Sequence, residues 1–443
     1  MKNRFCLSLL AVSAAFAMLA SGCSAEIVTP SQGGTAEIEA TVPAEQTAFT
    51  ISATTAPAET SELVVTSGTT YTAEELDYDA YAVVDELMSS MTLNEKIYQM
   101  FIVTPEALTG FSGSVTEAGS LTKSSLEAIP VGGLIYFDQN LENWQQTYEM
   151  LSLSQQYTQD AHNGIGLFLA VDEEGGSVAR VSQKLGTYSS YDMEYYGANL
   201  DYNSAYNLGS TIGSSLRELG FNLNFAPVAD VNISPTNELG SRIFSSDPQV
   251  VSDMTAQFVY GLEGTGVSAT LKHFPGLGAG SGNTHNSSVV IDRTHAQLYD
   301  TEFTAFQGGI QAGADFVMVG HQITTASLDN LPGDLSRTVV TDWLKSELGF
   351  SGLVVTDSHS MGAITENYTP GEAAILSIQA GVDIILMPYD LSNAVTSVRN
   401  AIEAGDITEE RINESVRKIL LKKCAMGIIA VEIEETTTTE NAD

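Results

Sequence analysis

The chain has 443 residues, enough for one large barrel or two ordinary domains, and 43% are hydrophobic, enough to bury a full core. Eighteen Lys+Arg stand against 55 Asp+Glu, a formal charge of −37. A surface this acidic repels phosphate backbones and anionic headgroups, which argues against nucleic acid as a partner and is most simply a device for solubility.

In chain order, Lys2 and Arg4 precede a mostly apolar run, Leu7 to Ala20, too short for a comfortable transmembrane span. The run ends Leu19-Ala20-Ser21-Gly22-Cys23, which resembles a bacterial lipoprotein signal. That resemblance implies loss of residues 1–22, lipid on Cys23, and an extracytoplasmic chain anchored to the cell membrane. An ordinary cleaved signal peptide is the alternative, and either one exports the chain. Cys6 leaves with the signal and Cys23 carries lipid, so Cys424 is alone and no intrachain disulfide is expected. Its helical-looking setting, Ile419 to Cys424, suits a small buried filler.

Residues 23–72 shift to Thr, Ser, Ala, Pro and Glu, without a single Lys or Arg. Such a segment buries too little apolar surface to order itself, and it predicts a flexible tether with a reach of roughly 40 Å. Residues 433–443 predict a second, short acidic tail.

The folded domain is expected over 73–432. Thr92 with Glu95 three residues on forms a capping box before an apolar helix. Eight short apolar runs follow at helix-bearing intervals: Met100–Val103, Gly133–Phe137, Leu167–Val171, Leu223–Val228, Ala269–Lys272, Phe316–Val319, Leu353–Thr356 and Ile384–Met387. Runs of this length suit strands buried on both faces, and helical patterns such as Asp342–Leu348 and Thr369–Ala380 lie between them. The alternation predicts an α/β fold, a single (β/α)8 TIM-type barrel. No Gly-x-Gly-x-x-Gly follows the first run, which counts against a dinucleotide fold. Five runs end in ionisable residues, namely Asp172, Asp230, Lys272-His273, His321 and Asp357. Charged groups gathered at one rim are costly to desolvate unless they serve a ligand, so these ends predict one common site.

Several stretches together resemble glycoside hydrolase family 3. They are Met91–Phe101, Val171-Asp172-Glu173-Glu174-Gly175-Gly176, Phe225–Val231, Lys272-His273-Phe274-Pro275-Gly276 and Val355–Ala363 around Thr356-Asp357-Ser358. They occur in the family's order from about residue 78 to 430, and are most similar to its single-domain β-N-acetylglucosaminidases. The resemblance implies a retaining enzyme that removes terminal non-reducing β-N-acetylglucosamine, with Asp357 as nucleophile. It also implies that Asp172, Arg242, Lys272 and His273 hold the sugar hydroxyls, while Asp230 supports the site. No cofactor is implied.

The acid/base loop departs from the motif. Single-domain relatives use an Asp-x-His pair after the fifth strand; here His285 is in register, but Asn283 replaces the Asp and Leu277 an upstream His. An Asn amide oxygen orients the ring without supplying charge, so the expectation is an acid-shifted optimum or slow attack on poor leaving groups. The loop's Gly and Ser content predicts mobility. His359 is a backup acid/base candidate or a rim residue. His321 either lines the pocket or supports neighbouring strands, and His162 and His295 read as surface residues. No metal-ligand spacing is present. Three alternatives stay open: a sugar-binding surface lipoprotein without catalysis, a family enzyme using phosphate as acceptor, and one preferring β-glucosides. Oligomeric state is not legible.

Overall fold

The computed structural model describes residues 62–64 and 70–431, with side chains from residue 80 onward. The expected signal segment 1–22, Cys23 and the tail 433–443 lie outside the described residues. Within the expected tether, Glu62–Val64 pairs antiparallel with Thr70–Thr72. This short ladder departs from an unstructured segment, and the β-branched and aromatic residues Val64, Thr70, Tyr71 and Thr72 suit it.

Eight parallel strands make the barrel: β1 (Phe101–Val103), β2 (Gly133–Ile135), β3 (Phe168–Val171), β4 (Leu223–Asn224), β5 (Ser268–Phe274), β6 (Phe316–Val319), β7 (Leu353–Thr356) and β8 (Ile385–Leu386). Their order is 7-6-5-4-3-2-1-8, and a parallel bridge from Val355 to Ile384 closes the ring. Each apolar run therefore became one strand. Residues on both faces of each strand are buried, as in Phe101-Ile102-Val103 and Phe168-Leu169-Ala170-Val171, because helices cover the outside and side chains fill the inside.

The helix Tyr202–Leu219 shows how the shell is laid on. Ala205, Leu208, Ile212, Leu216 and Leu219 recur every three or four residues and are buried. Gly209 lets it approach the helix Pro248–Glu263, since a Cβ there would sit 2.3 Å from the Phe258 carbonyl oxygen. The left-handed Gly220, φ 104°, ends it.

The Thr92–Glu95 capping box forms, with Glu95 Oε2 accepting from the Thr92 amide at 2.6 Å. Thr369 likewise caps Pro370–Ala380. The helix expected at Asp342–Leu348 instead runs Thr338–Glu347 with π winding, starting earlier because Val339 and Val340 are also buried. Cys424 is buried in the helix Glu409–Ala425, where burial pushes its thiol up to about 11. Among the described residues no helix is long and apolar enough to cross a membrane.

Candidate active site

The strand-end residues converge at the C-terminal mouth of the barrel. Asp357 follows β7, its backbone N–H donating to the Val319 carbonyl at 2.9 Å and its Oδ1 accepting from the Ser358 amide at 2.7 Å. Burial would raise its pKa; the charges of His321, His273 and Lys272, with the Ser358 amide, win and hold the carboxyl below its ordinary value. Asp357 is therefore an anion at neutral pH.

Beside it lies a network of alternating charge. Lys272 Nζ, at the end of β5, donates to Asp172 Oδ1 at 2.8 Å and contacts Glu174 Oε1 at 2.7 Å. Arg242 Nε and Nη2 donate to the two Glu174 oxygens at 2.8 and 2.7 Å, a bidentate pair. Glu174 is only 2% exposed. Burial alone would raise its pKa, but Lys272 and Arg242 reverse this and pull it to about 2. Burial would lower the Lys272 pKa, and Asp172 with Glu174 raises it instead. Glu173, between the two site acids, serves the fold: its carboxylate accepts from the Val181 and Ser182 amides at 2.7 and 3.0 Å.

Asp230 is fully buried, and its Oδ2 accepts from the His273 amide and His273 Nδ1, both at 2.9 Å. Its Oδ1 accepts from the Leu277 amide, so this carboxylate shapes the turn that presents His273. Asp334 forms a second buried centre. Its Oδ1 pairs with His321 Nδ1 at 3.0 Å and its Oδ2 with His359 Nε2 at 2.8 Å. His321 Nε2 donates to the Ser358 carbonyl at 2.8 Å. With acceptors at both ring nitrogens, His321 is an imidazolium; burial would lower its pKa, and Asp334 raises it to about 9. His359 is thus neither a rim residue nor a spare acid/base: its side chain is enclosed against Asp334 and Ser377. His162, expected at the surface, is half-buried and bonded to the Leu126 carbonyl at 2.7 Å. His295, also expected at the surface, is half-buried against Phe303 and Trp343, with its Nε2 2.9 Å from Glu347 Oε2.

On the loop after β5, His285 is exposed, and the Asn283 side-chain oxygen accepts from its amide at 2.8 Å and lies 3.1 Å from its Nδ1. The ring is not without charge, however. Glu238, from the loop after β4, places Oε2 3.5 Å from His285 Nδ1. The Glu238 carboxylate raises the His285 pKa against the effect of burial, and Asp357 adds to the rise. The carboxylate that Asn283 does not supply is present beside the ring, but it comes from another loop. Leu277 is buried with Val228, Leu239, Ile243, Val289 and Ile291. This apolar contact, with the Gly362 amide on the His285 carbonyl and the Ala363 amide on the Thr284 carbonyl, ties down a loop whose composition predicted mobility. Among the described residues no group of three His, Cys, Asp or Glu is placed to hold a metal ion.

The Glycosyl hydrolase family 3 N terminal domain matches residues 92–421, most of the chain and every strand of the barrel. The chain belongs to glycosyl hydrolase family 3. Among its relatives, Beta-hexosaminidase A of Pseudoalteromonas piscicida is 30% identical over 313 residues, covering 65% of this chain and 52% of that protein. Beta-hexosaminidase of Idiomarina loihiensis is 29% identical over 329 residues, 74% of this chain and 96% of its own. A solved family 3 beta-N-acetylglucosaminidase from Paenibacillus sp. superposes with a TM-score of 0.72 at 32% identity, covering 79% of this chain and 65% of that one. The chain thus spans about half the length of the first relative and nearly all of the second.

Three acids of this family 3 site escaped sequence reasoning as site residues. Glu174 stood inside a quoted motif, and an acid two residues after Asp172 was its only signal. Glu238 lies in a loop and Asp334 in the short 3-10 helix Gly333–Leu335, and neither follows a strand end, so nothing local pointed to them.

Proposed function

We propose that this family 3 protein is a retaining β-N-acetylhexosaminidase that removes terminal non-reducing β-N-acetylglucosamine from cell-wall fragments or other glycans. The observation that carries the reading is an ionised Asp357 at the mouth of the barrel, flanked by Asp172, Lys272, His273 and Arg242 and faced by His285. Asp357 attacks the anomeric carbon as the glycosidic bond breaks, and the leaving oxygen takes the proton from His285. A water then loses its proton to neutral His285 and displaces Asp357 from the same carbon. The two displacements give net retention. Asp172, Lys272, His273 and Arg242 supply donors and acceptors for the hydroxyls of the sugar being cut. Export, with lipid on Cys23, places the enzyme outside the cytoplasm.

The test is release of nitrophenol from p-nitrophenyl β-N-acetylglucosaminide by the purified protein across pH 4 to 8, beside Asp357→Ala. Release that the variant loses by orders of magnitude supports the reading, since a missing nucleophile removes the covalent route. A folded wild type that binds N-acetylglucosamine and releases nothing favours a sugar-binding surface lipoprotein. An imidazole in place of a carboxylate acid/base also removes one like charge from the path of an anionic acceptor. Faster turnover with phosphate, giving a sugar phosphate, is the sign of that reading, and higher kcat/KM on the β-glucoside the sign of a glucosidase.

A further inference from the structure

We propose that Glu238 is the positioning residue for the acid/base His285, supplying from the loop after β4 the negative charge that Asn283 lacks. The inference rests on the reading of His285 as the acid/base of a glycosidase.

The Glu238 side chain is 8% exposed while that of His285 is 68% exposed, so a nearly enclosed carboxylate stands beside an open imidazole. Its two oxygens have separate partners. Oε1 accepts from the Thr284 amide at 3.0 Å and the Thr284 hydroxyl at 2.8 Å, which fixes the backbone just before His285. Oε2 faces His285 Nδ1 at 3.5 Å. Burial would raise the Glu238 pKa, but the nearby His285 and the bonds from Thr284 lower it below the ordinary carboxylate value. Glu238 is an anion wherever His285 titrates.

Asn283 and Glu238 divide what one Asp would do. The Asn283 oxygen, 3.1 Å from Nδ1, gives direction, and Glu238 gives charge. Both neighbours of Nδ1 are acceptors, so that nitrogen carries a proton in either ring state. Nε2 is then the atom that releases a proton to the leaving oxygen and later takes one from water. The other charges acting on the ring are Asp357, which favours the imidazolium, and Arg242, which opposes it. Glu238 tips this balance toward the protonated ring needed for the first step.

The test compares kcat/KM against pH for wild type and Glu238→Gln, on aryl β-N-acetylglucosaminides with good and poor leaving groups. The Gln keeps the size and can still accept from Thr284, while removing the charge. The basic limb should move to lower pH in Glu238→Gln. Above that limb the poor leaving group should lose roughly tenfold or more, within the ~10²–10⁴ that general acid–base catalysis contributes. KM should change little, and Asn283→Asp added to Glu238→Gln should return the limb toward its wild-type position. A folded Glu238→Gln enzyme with an unmoved limb and uniform rate loss overturns the proposal, because that is what a merely structural contact would give. NMR titration of the His285 ring in the full chain, assigned with His285→Ala, decides the matter independently of activity. A lower ring pKa in Glu238→Gln supports the proposal, and an unchanged one refutes it. If the wild type cleaves no glycoside, the functional reading fails while the titration still judges Glu238.

Discussion

Glu174→Ala removes the one carboxylate shared by two cations of the site. Glu174 accepts two bonds from Arg242 and one from Lys272 while almost fully enclosed. Lys272 retains Asp172 at 2.8 Å, but Arg242 loses its only side-chain partner among the described residues. Breaking a buried ion pair from one side costs ~3–5 kcal/mol. Arg242 is 20% exposed and can recover some water, which places the loss near the lower end of that range. The Glu174 pKa gives the same size. It falls from 4.5 to about 2, and at about 1.4 kcal/mol per unit that is on the order of 3 kcal/mol. A pKa lower in the folded than in the unfolded chain contributes stability that is present above pH 4.5 and lost as pH falls through 2. Urea unfolding of wild type and Glu174→Ala at pH 7, 5 and 3 should show a gap of about 3 kcal/mol at pH 7 that narrows at pH 3. The same variant should lose kcat/KM, because Arg242 and Lys272 are freed from their shared anchor. A gap under about 1 kcal/mol at pH 7, or one that does not change with pH, would refute the idea that Glu174 is a charge clamp.

Two further predictions concern the buried residues around the site. Asp334→Asn should lower the His321 pKa from about 9, because the carboxylate that raises it against burial is gone. In wild type, His321 contributes stability that is full below pH 6.5 and lost as pH rises through 9, so Tm measured from pH 6 to 9.5 should show that fall and the variant should not. Leu277→His, which restores the residue usual in single-domain relatives, should destabilise by ~1–3 kcal/mol in urea unfolding. Here the position is 4% exposed among aliphatic side chains and offers an imidazole no partner. A variant as stable as wild type would show that the loop repacks around the ring.

The barrel was legible because parallel strands covered on both faces are largely apolar, and all eight runs are mostly apolar and buried, with Asn224, Thr270, Lys272 and Thr356 as polar exceptions. Asp172, Lys272, His273 and Asp357 were legible for a related reason: each stands where an apolar strand gives way to its loop. Glu174, Glu238 and Asp334 were not, because their partners are set by tertiary approach. Arg242 lies 68 residues from Glu174, Thr284 lies 46 from Glu238, and His359 lies 25 from Asp334. His359 was misread for the same reason, since the buried anion that accounts for its burial lies on a different loop. The clearest instance is Asn283. Within its own loop it looks like a lost charge and an argument for a lost activity. On the neighbouring loop after β4, Glu238 stands against the same imidazole. At a barrel rim built from eight loops, a charge can leave one loop and return from another without leaving the site. A local departure from a motif therefore predicts lost chemistry only after every loop facing the altered group has been inspected for a substitute.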